Sequence, residues 1–195
     1  GNYFGGTQAG YSSVSASYNT YLGYQAAYSS TSTGGSNNTA VGASAGYHLT
    51  GTDAVFVGAN AGVSNTSGNY NTAIGSSALQ ANTTASNNTA IGYQAGYNNT
   101  VGEWSTFIGR GAGYSSNRTA DANTYCTFIG GLAGYYTTTG QFNTFVGEES
   151  GYYVTTGSKN TILGRYSGNQ GGLDIRTSSN YIVLSDGDGN PRQII

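Results

Sequence analysis

The stretch Asn88-Thr89-Ala90-Ile91-Gly92-Tyr93-Gln94-Ala95-Gly96-Tyr97 decides the fold, because near copies of it run along most of the chain. Aligned on the glycine equivalent to Gly92, the copies have anchors at Gly6, Gly23, Gly42, Gly58, Gly75, Gly92, Gly109, Gly130, Gly147 and Gly164. Six of the nine intervals are 17 residues and the others are 19, 16 and 21. A fixed short period marks a stack of repeated units, each unable to bury its apolar face alone.

Every position of the repeat has its own chemistry. Three residues before the anchor stands Thr in eight copies, and two before it an aromatic or small apolar residue such as Phe107 or Ala90. One before it comes an aliphatic residue in all copies but the first. Ala or Ser stands three after the anchor, Gly follows in eight copies, and Tyr comes next in seven. The period is too short for two helices, and its β-branched residues favour strands. The prediction is an all-β chain: a parallel β-solenoid of about ten 17-residue coils over residues 1–169, then a C-terminal capping segment over 170–195. Stacked at about 4.8 Å, ten coils make a rod about 50 Å long. Asn four residues before the anchor, as at Asn38, Asn71, Asn88 and Asn143, is expected to form an amide ladder along it.

Neighbouring side chains on a strand point to opposite faces. Val41, Val57, Ile74, Ile91, Ile108, Ile129, Val146 and Leu163 are assigned as a core ladder filling a narrow interior. Phe56, Phe107, Phe128 and Phe145 then face outward with Ala, an apolar stripe that monomers seldom expose. They are the candidates for the interface of a homotrimer packed about a common axis. The alternative is a monomeric solenoid with a wider interior and one partly exposed aromatic row.

Composition agrees with a repeat fold and excludes several classes. Gly, Ser, Thr and Asn make up just over half of the 195 residues, and charged residues only 7%. Few strong helix formers argue against a bundle, and the scarcity of charge against a charged disordered tail. A net charge of -2 gives no basic footprint for nucleic acid. No apolar run approaches the ~20 residues that cross a bilayer, and no signal peptide opens the sequence. The absence of Met predicts a fragment or a processed product. Cys126 is the single cysteine, so no intrachain disulfide forms, and with His48 as the single histidine no zinc set can be assembled. No cofactor is expected.

The Asn-Thr-Ala-Ile-Gly run with a following Ala-Gly resembles the head repeats of trimeric autotransporter adhesins. The longer form at 88–97 is similar to repeats of bacteriophage tail fibre and tail spike proteins, and the likeness covers roughly residues 2–169. The resemblance implies a trimeric, left-handed parallel β-roll on a virion tail surface or an extracellular fibre. The adhesin repeat is shorter, so larger outward loops are expected here. After the last repeat, Asn180 to Ser185 reads as a strand, Asp186 to Asn190 as a turn and Pro191 to Ile195 as a returning strand, a hairpin-like cap. Residues 179–195 also resemble the stretch that precedes a self-cleaving chaperone in some phage fibres.

Candidate sites are few. Asp186, Asp188 and Asn190 open like a calcium loop, but Pro191 replaces the required Gly and no Glu closes it, so a plain turn is expected. Glu148 and Glu149 are adjacent and should diverge, unlike a glycosidase pair flanking one bond. An intersubunit pair from Asp53, Glu103 or Asp121 has no motif behind it. His48 has no triad partners, and Cys126 stands in the Asn column as a tolerated small residue. Sequons at Asn37, Asn65, Asn82, Asn87, Asn98 and Asn117 follow from composition. Insertions concentrate at 29–37, 47–53 and 115–125, and Tyr97, Trp104 and Tyr114 are the candidate contacts for a host glycan, since aromatic faces cover sugar rings while amides and hydroxyls read their OH groups. The expected function is a non-enzymatic, rigid fibre segment contributing to host-surface attachment. The alternatives are a bacterial surface adhesin or filament subunit, an ice-binding solenoid and a polysaccharide depolymerase. Ice binding needs an exposed Thr array, and an inward aliphatic column on the same face as Thr counts against it.

Overall fold

The structure is a computed structural model that describes residues 1–30, 35–116 and 124–195. Ten three-residue strands, one per repeat, stack in chain order: β1 (Tyr3–Gly5), β2 (Thr20–Leu22), β3 (Thr39–Val41), β4 (Val55–Val57), β5 (Thr72–Ile74), β6 (Thr89–Ile91), β7 (Thr106–Ile108), β8 (Thr127–Ile129), β9 (Thr144–Val146) and β10 (Thr161–Leu163). Each pairs in parallel with the next at the same repeat position, as in Thr89↔Thr106, Ala90↔Phe107 and Ile91↔Ile108. The repeat is therefore a parallel β-solenoid of about ten turns. A two-residue antiparallel pair follows, β11 (Asn169–Gln170) with β12 (Leu173–Asp174). The main sheet then resumes with β13 (Ile182–Ser185), parallel to β10, and ends with β14 (Pro191–Ile194), antiparallel to β13. Among the described residues no helix is long and apolar enough to cross a membrane.

The anchor glycine sets the coil. Gly92 has φ +135°, and its N–H continues the ladder by donating to the Ile74 carbonyl at 2.7 Å. A Cβ there would stand 2.6 Å from the carbonyl carbon of Gly109 in the next coil. Backbone lies directly on backbone at this corner, so only glycine fits.

The two apolar columns face the opposite way to the sequence assignment. Ala40, Phe56, Ala73, Ala90, Phe107, Phe128, Phe145 and Ile162 are fully buried inside the single chain. The aliphatic ladder is instead on the outer face: Ile74, Ile91, Ile129 and Leu163 are 37–44% exposed, and Val41, Val57, Ile108 and Val146 are half-buried. Phe56, Phe107, Phe128 and Phe145 accordingly belong to the interior and are not available to a partner chain.

Space for the rings comes from the facing wall. Opposite each Phe stands a glycine at φ near +60°, Gly62, Gly113, Gly134 and Gly151. A Cβ on Gly134 would sit 2.5 Å from the Phe128 ring, and one on Gly62 2.7 Å from Phe56. Where the inner residue is Ala73, the same wall position carries Leu79, also fully buried. The coils of Ala40 and Ala90 carry Gly46 and Gly96 there, and the space is taken from adjacent coils by Phe56 and by Phe107 with Leu79, so close packing is met across neighbouring coils. Phe128 and Phe145 stack at 4.9 Å with their planes 8° apart. Tyr21 closes the inner row near the N-terminus, and burial pushes its phenol up to about 12.

The asparagine column is buried, but its amides bond mainly to backbone rather than to each other. Asn143 Nδ2 donates to the Gly157 carbonyl at 2.8 Å, and its Oδ1 accepts from the Asn160 N–H at 2.9 Å. Asn160 repeats the pattern with Ser178 and Tyr181. Each amide therefore satisfies a donor and an acceptor of the next coil that no strand pairing reaches. Cys126 stands in the same column, its thiol within hydrogen-bonding distance of the Gly140 carbonyl at 3.5 Å and the Thr124 carbonyl at 3.4 Å. Removing one such amide strands two buried backbone groups. Asn143→Ala is expected to cost about 2–3 kcal/mol, measured by urea unfolding. A loss below about 0.5 kcal/mol would show that water replaces the amide.

Candidate functional site

Tyrosine five residues after the anchor builds two outer stacks. Tyr11, Tyr28 and Tyr47 stack at 5.1 Å each, and Tyr97, Tyr114, Tyr135 and Tyr152 at 5.0, 4.8 and 5.4 Å. Val63 and Gln80 fill the column between them, and Gln80 Nε2 donates to the Tyr97 hydroxyl at 3.0 Å. Within a stack each ring covers its neighbours' faces. Tyr114 lies between Tyr97 and Tyr135, so neither of its faces is open to a sugar. Trp104 belongs to a different column, five residues before the anchor, at φ +59° and 52% exposed. Tyr97, Trp104 and Tyr114 are therefore not brought together as one site.

The stack ends at Tyr152 because the repeat changes there. The equivalent position of the next coil is Asn169, the first residue of β11. The ring contacts of Tyr152 are to Tyr135, Tyr136 and Tyr153, all on its own or the preceding coil. Tyr153 lies edge-on to Tyr152, 4.8 Å away at 87°, and parallel to Tyr136 at 6.2 Å. Beside these two terminal rings opens a cavity of about 320 Å³.

Polar groups complete its wall. Glu149 comes from the turn after β9, Arg165 follows β10, and Ser167, Gln170 and Asp188 come from the C-terminal segment. Arg165 Nη2 and Nε both bond Glu149 Oε2, at 2.7 and 3.2 Å. Glu149 chiefly, then Glu148 and Asp188, hold the Arg165 guanidinium above its ordinary pKa. The Gln170 amide is fixed at both ends, accepting the Ser167 N–H at 2.8 Å and donating to the Asp188 carbonyl at 3.4 Å. Desolvation first, and the Tyr136 hydroxyl second, push the Tyr152 phenol up to about 12, so it stays neutral at ordinary pH. The cavity combines aromatic surface with donors and acceptors, and its two carboxylates outnumber its one guanidinium.

The remaining sequence candidates disperse. Glu148 is exposed and does not line the cavity, so the adjacent glutamates do diverge. Asp186 Oδ1 accepts the N–H groups of Asp188 and Asn190, and its Oδ2 binds Arg192, which closes an ordinary turn. His48 is exposed, edge-on to Tyr47. Asp53 accepts from the Asn37 amide at 3.1 Å, Glu103 lies three coils away, and Asp121 falls outside the described residues. Asn65 and Asn82 are fully buried and bonded to one another, so those sequons are closed in the folded coil; Asn117 is outside the described residues. Of the insertions, residues 31–34 and 117–123 are likewise outside them. No group of three or more His, Cys, Asp or Glu among the described residues could hold a metal.

Two signals in the sequence point to the cavity. The tyrosine column stops after Tyr152, and nine of the 14 charged residues lie from Glu148 onward. No protein family, curated protein or solved structure matches this chain.

Proposed function

We propose that this chain is a rigid segment of a phage tail-fibre or tail-spike type of fibre, self-associating as a trimer and contributing to host-surface attachment without catalysis. The observation that carries the reading is the outer face of the long sheet. From Leu22 to Leu184, ten consecutive rungs present a half-exposed aliphatic residue, with no charge on the strands β2 to β10. A continuous apolar stripe along a rod is the form of a surface that packs against copies of itself. In-register pairing over every coil supports the stiffness that a fibre needs. The reading gives β14 the role of a cap, its short edge carrying Pro191 and Arg192, residues that discourage further strand addition. It places the protein on a virion tail or outside the cell.

One observation favours a second reading. Thr39, Thr72, Thr89, Thr106, Thr127 and Thr144 share the outer face with the aliphatic column and are half-buried there, so they do not point into the interior as an inward aliphatic column would require. Sedimentation equilibrium separates the two. The fibre reading expects a mass three times that of the chain, falling to that of the monomer in Ile91→Asp/Ile108→Asp with its circular dichroism unchanged. A wild-type monomer that slows ice recrystallisation would replace the fibre reading with the second. Shortening of a bound polysaccharide would overturn the non-catalytic part.

A further inference from the structure

We infer that the cavity at the end of the tyrosine stack is a saccharide-binding site, taking a neutral or amino sugar unit of a surface glycan. The inference rests on the attachment role proposed above and gives that role a place on the chain.

A sugar ring needs two kinds of surface at once. Its C–H face is apolar and is covered best by an aromatic plane, while its hydroxyls need donors and acceptors at the rim. Along the two tyrosine columns the aromatic planes are already used by one another. Within the tyrosine columns a ring face is released where a stack terminates, and the ring contacts of Tyr152 are all to its own or the preceding coil. The exposed rings of Tyr70, Tyr93 and Trp104 lie outside the stacks and do not line the cavity. The released surface meets a concave wall of about 320 Å³, the size range of a small-ligand site.

The rim supplies both halves of a hydroxyl's bonding. The salt bridge uses one oxygen of Glu149, through Oε2, and leaves Oε1 to accept. Arg165 engages it through Nε and Nη2 and leaves Nη1 to donate. Asp188 adds a second carboxylate, and the Ser167 hydroxyl can do either. Gln170 ties the wall together through the bonds to Ser167 and to the Asp188 backbone, so the polar groups are held in place before a ligand arrives. The charge balance decides the class. Two carboxylates against one guanidinium repel uronic and sialic acids, and accept hydroxyls or an ammonium group.

The test is binding of the purified wild-type protein to a printed array of neutral, amino and uronate oligosaccharides, followed by titration of the strongest neutral or amino sugar found. Tyr152→Ala and Arg165→Ala are each expected to weaken that binding about tenfold or more, and Tyr11→Ala, in the distant stack, to leave it unchanged. Far-UV circular dichroism and thermal unfolding establish that each variant is folded. Arg165→Lys, which keeps the charge but loses the fork, serves as a milder variant and is expected to retain partial binding. Absence of any neutral or amino sugar on the array, preference for uronates, or equal binding by the folded Tyr152→Ala protein would each overturn the site. The mass measurement keeps this distinct from the fibre reading: a trimer that binds no sugar loses only the site, and a monomer whose binding depends on Tyr152 loses only the fibre.

Discussion

Gly92→Ala is expected to unfold the middle of the solenoid, with a loss of at least about 3 kcal/mol in urea unfolding followed by circular dichroism. Two costs add. The native φ of +135° lies in a region that residues with a Cβ scarcely enter, and the new methyl would stand 2.6 Å from the backbone of Gly109. Neither can be relieved by a rotamer change, because the obstacle is main chain and belongs to the next rung of the same ladder. Separating the rungs would stretch the hydrogen bond from the Gly109 N–H to the Ile91 carbonyl, now 2.8 Å. Gly131→Ala is the control, one residue past the equivalent anchor. Its φ is not in the left-handed range, and the nearest atom to an added Cβ is the Glu148 Cγ at 3.9 Å. That change should be neutral or stabilise by about 0.4–1 kcal/mol. Equal effects at Gly92 and Gly131 would show that the corner is not closed backbone to backbone.

Phe128→Ala tests which apolar column is the core. Phe128 is fully buried, stacked on Phe145 and resting on the bare Cα of Gly134. Deleting its ring should cost about 3–5 kcal/mol through lost transfer energy and the cavity left behind. Ile129→Ala, one residue along on the outer face, should cost the isolated chain about 1 kcal/mol, because Ile129 is already 37% exposed. The reverse order would restore the aliphatic column as the core. The packing also predicts a rescue. The coil of Ala73 carries Leu79 where the coil of Phe128 carries Gly134. Adding Gly134→Leu to Phe128→Ala should therefore recover part of the loss, since Leu79 occupies the same wall at φ +48°. Partial rather than full recovery is expected, as a leucine in the left-handed region carries its own strain.

The same compensation shows what the sequence discloses about orientation and why it is easily read the wrong way. Parity along a strand says that Phe128 and Ile129 face opposite sides, but it does not say which side is inside. A narrow interior makes the aliphatic column the natural choice. The contrary signal is distributed over residues six apart, where every inner Phe of the middle coils is matched by Gly and Ala73 by Leu79, while Ala40 and Ala90 are matched by Gly46 and Gly96 and leave room for the rings of adjacent coils. The buried asparagines carry a second signal, because Asn143 and Phe145 have the same parity and so share the inner face. The proposed saccharide site was less legible still. Tyr97 and Tyr114 are rightly placed in a tyrosine column, but a stack consumes the faces that sugar binding needs, and that depends on the ring planes.

The amino-acid sequence by itself determined the period, the strand at each rung, the parallel register and the glycine corners, because each follows from local conformational preference repeated at a fixed interval. Tertiary structure alone decided which apolar column is inside, how the asparagine amides reach the next coil, and where a ring face is left open. Those are matters of facing walls and of neighbours up to about 20 residues apart, settled by the space that Gly134 leaves for Phe128 and by Asn169 standing where the tyrosine column would continue past Tyr152.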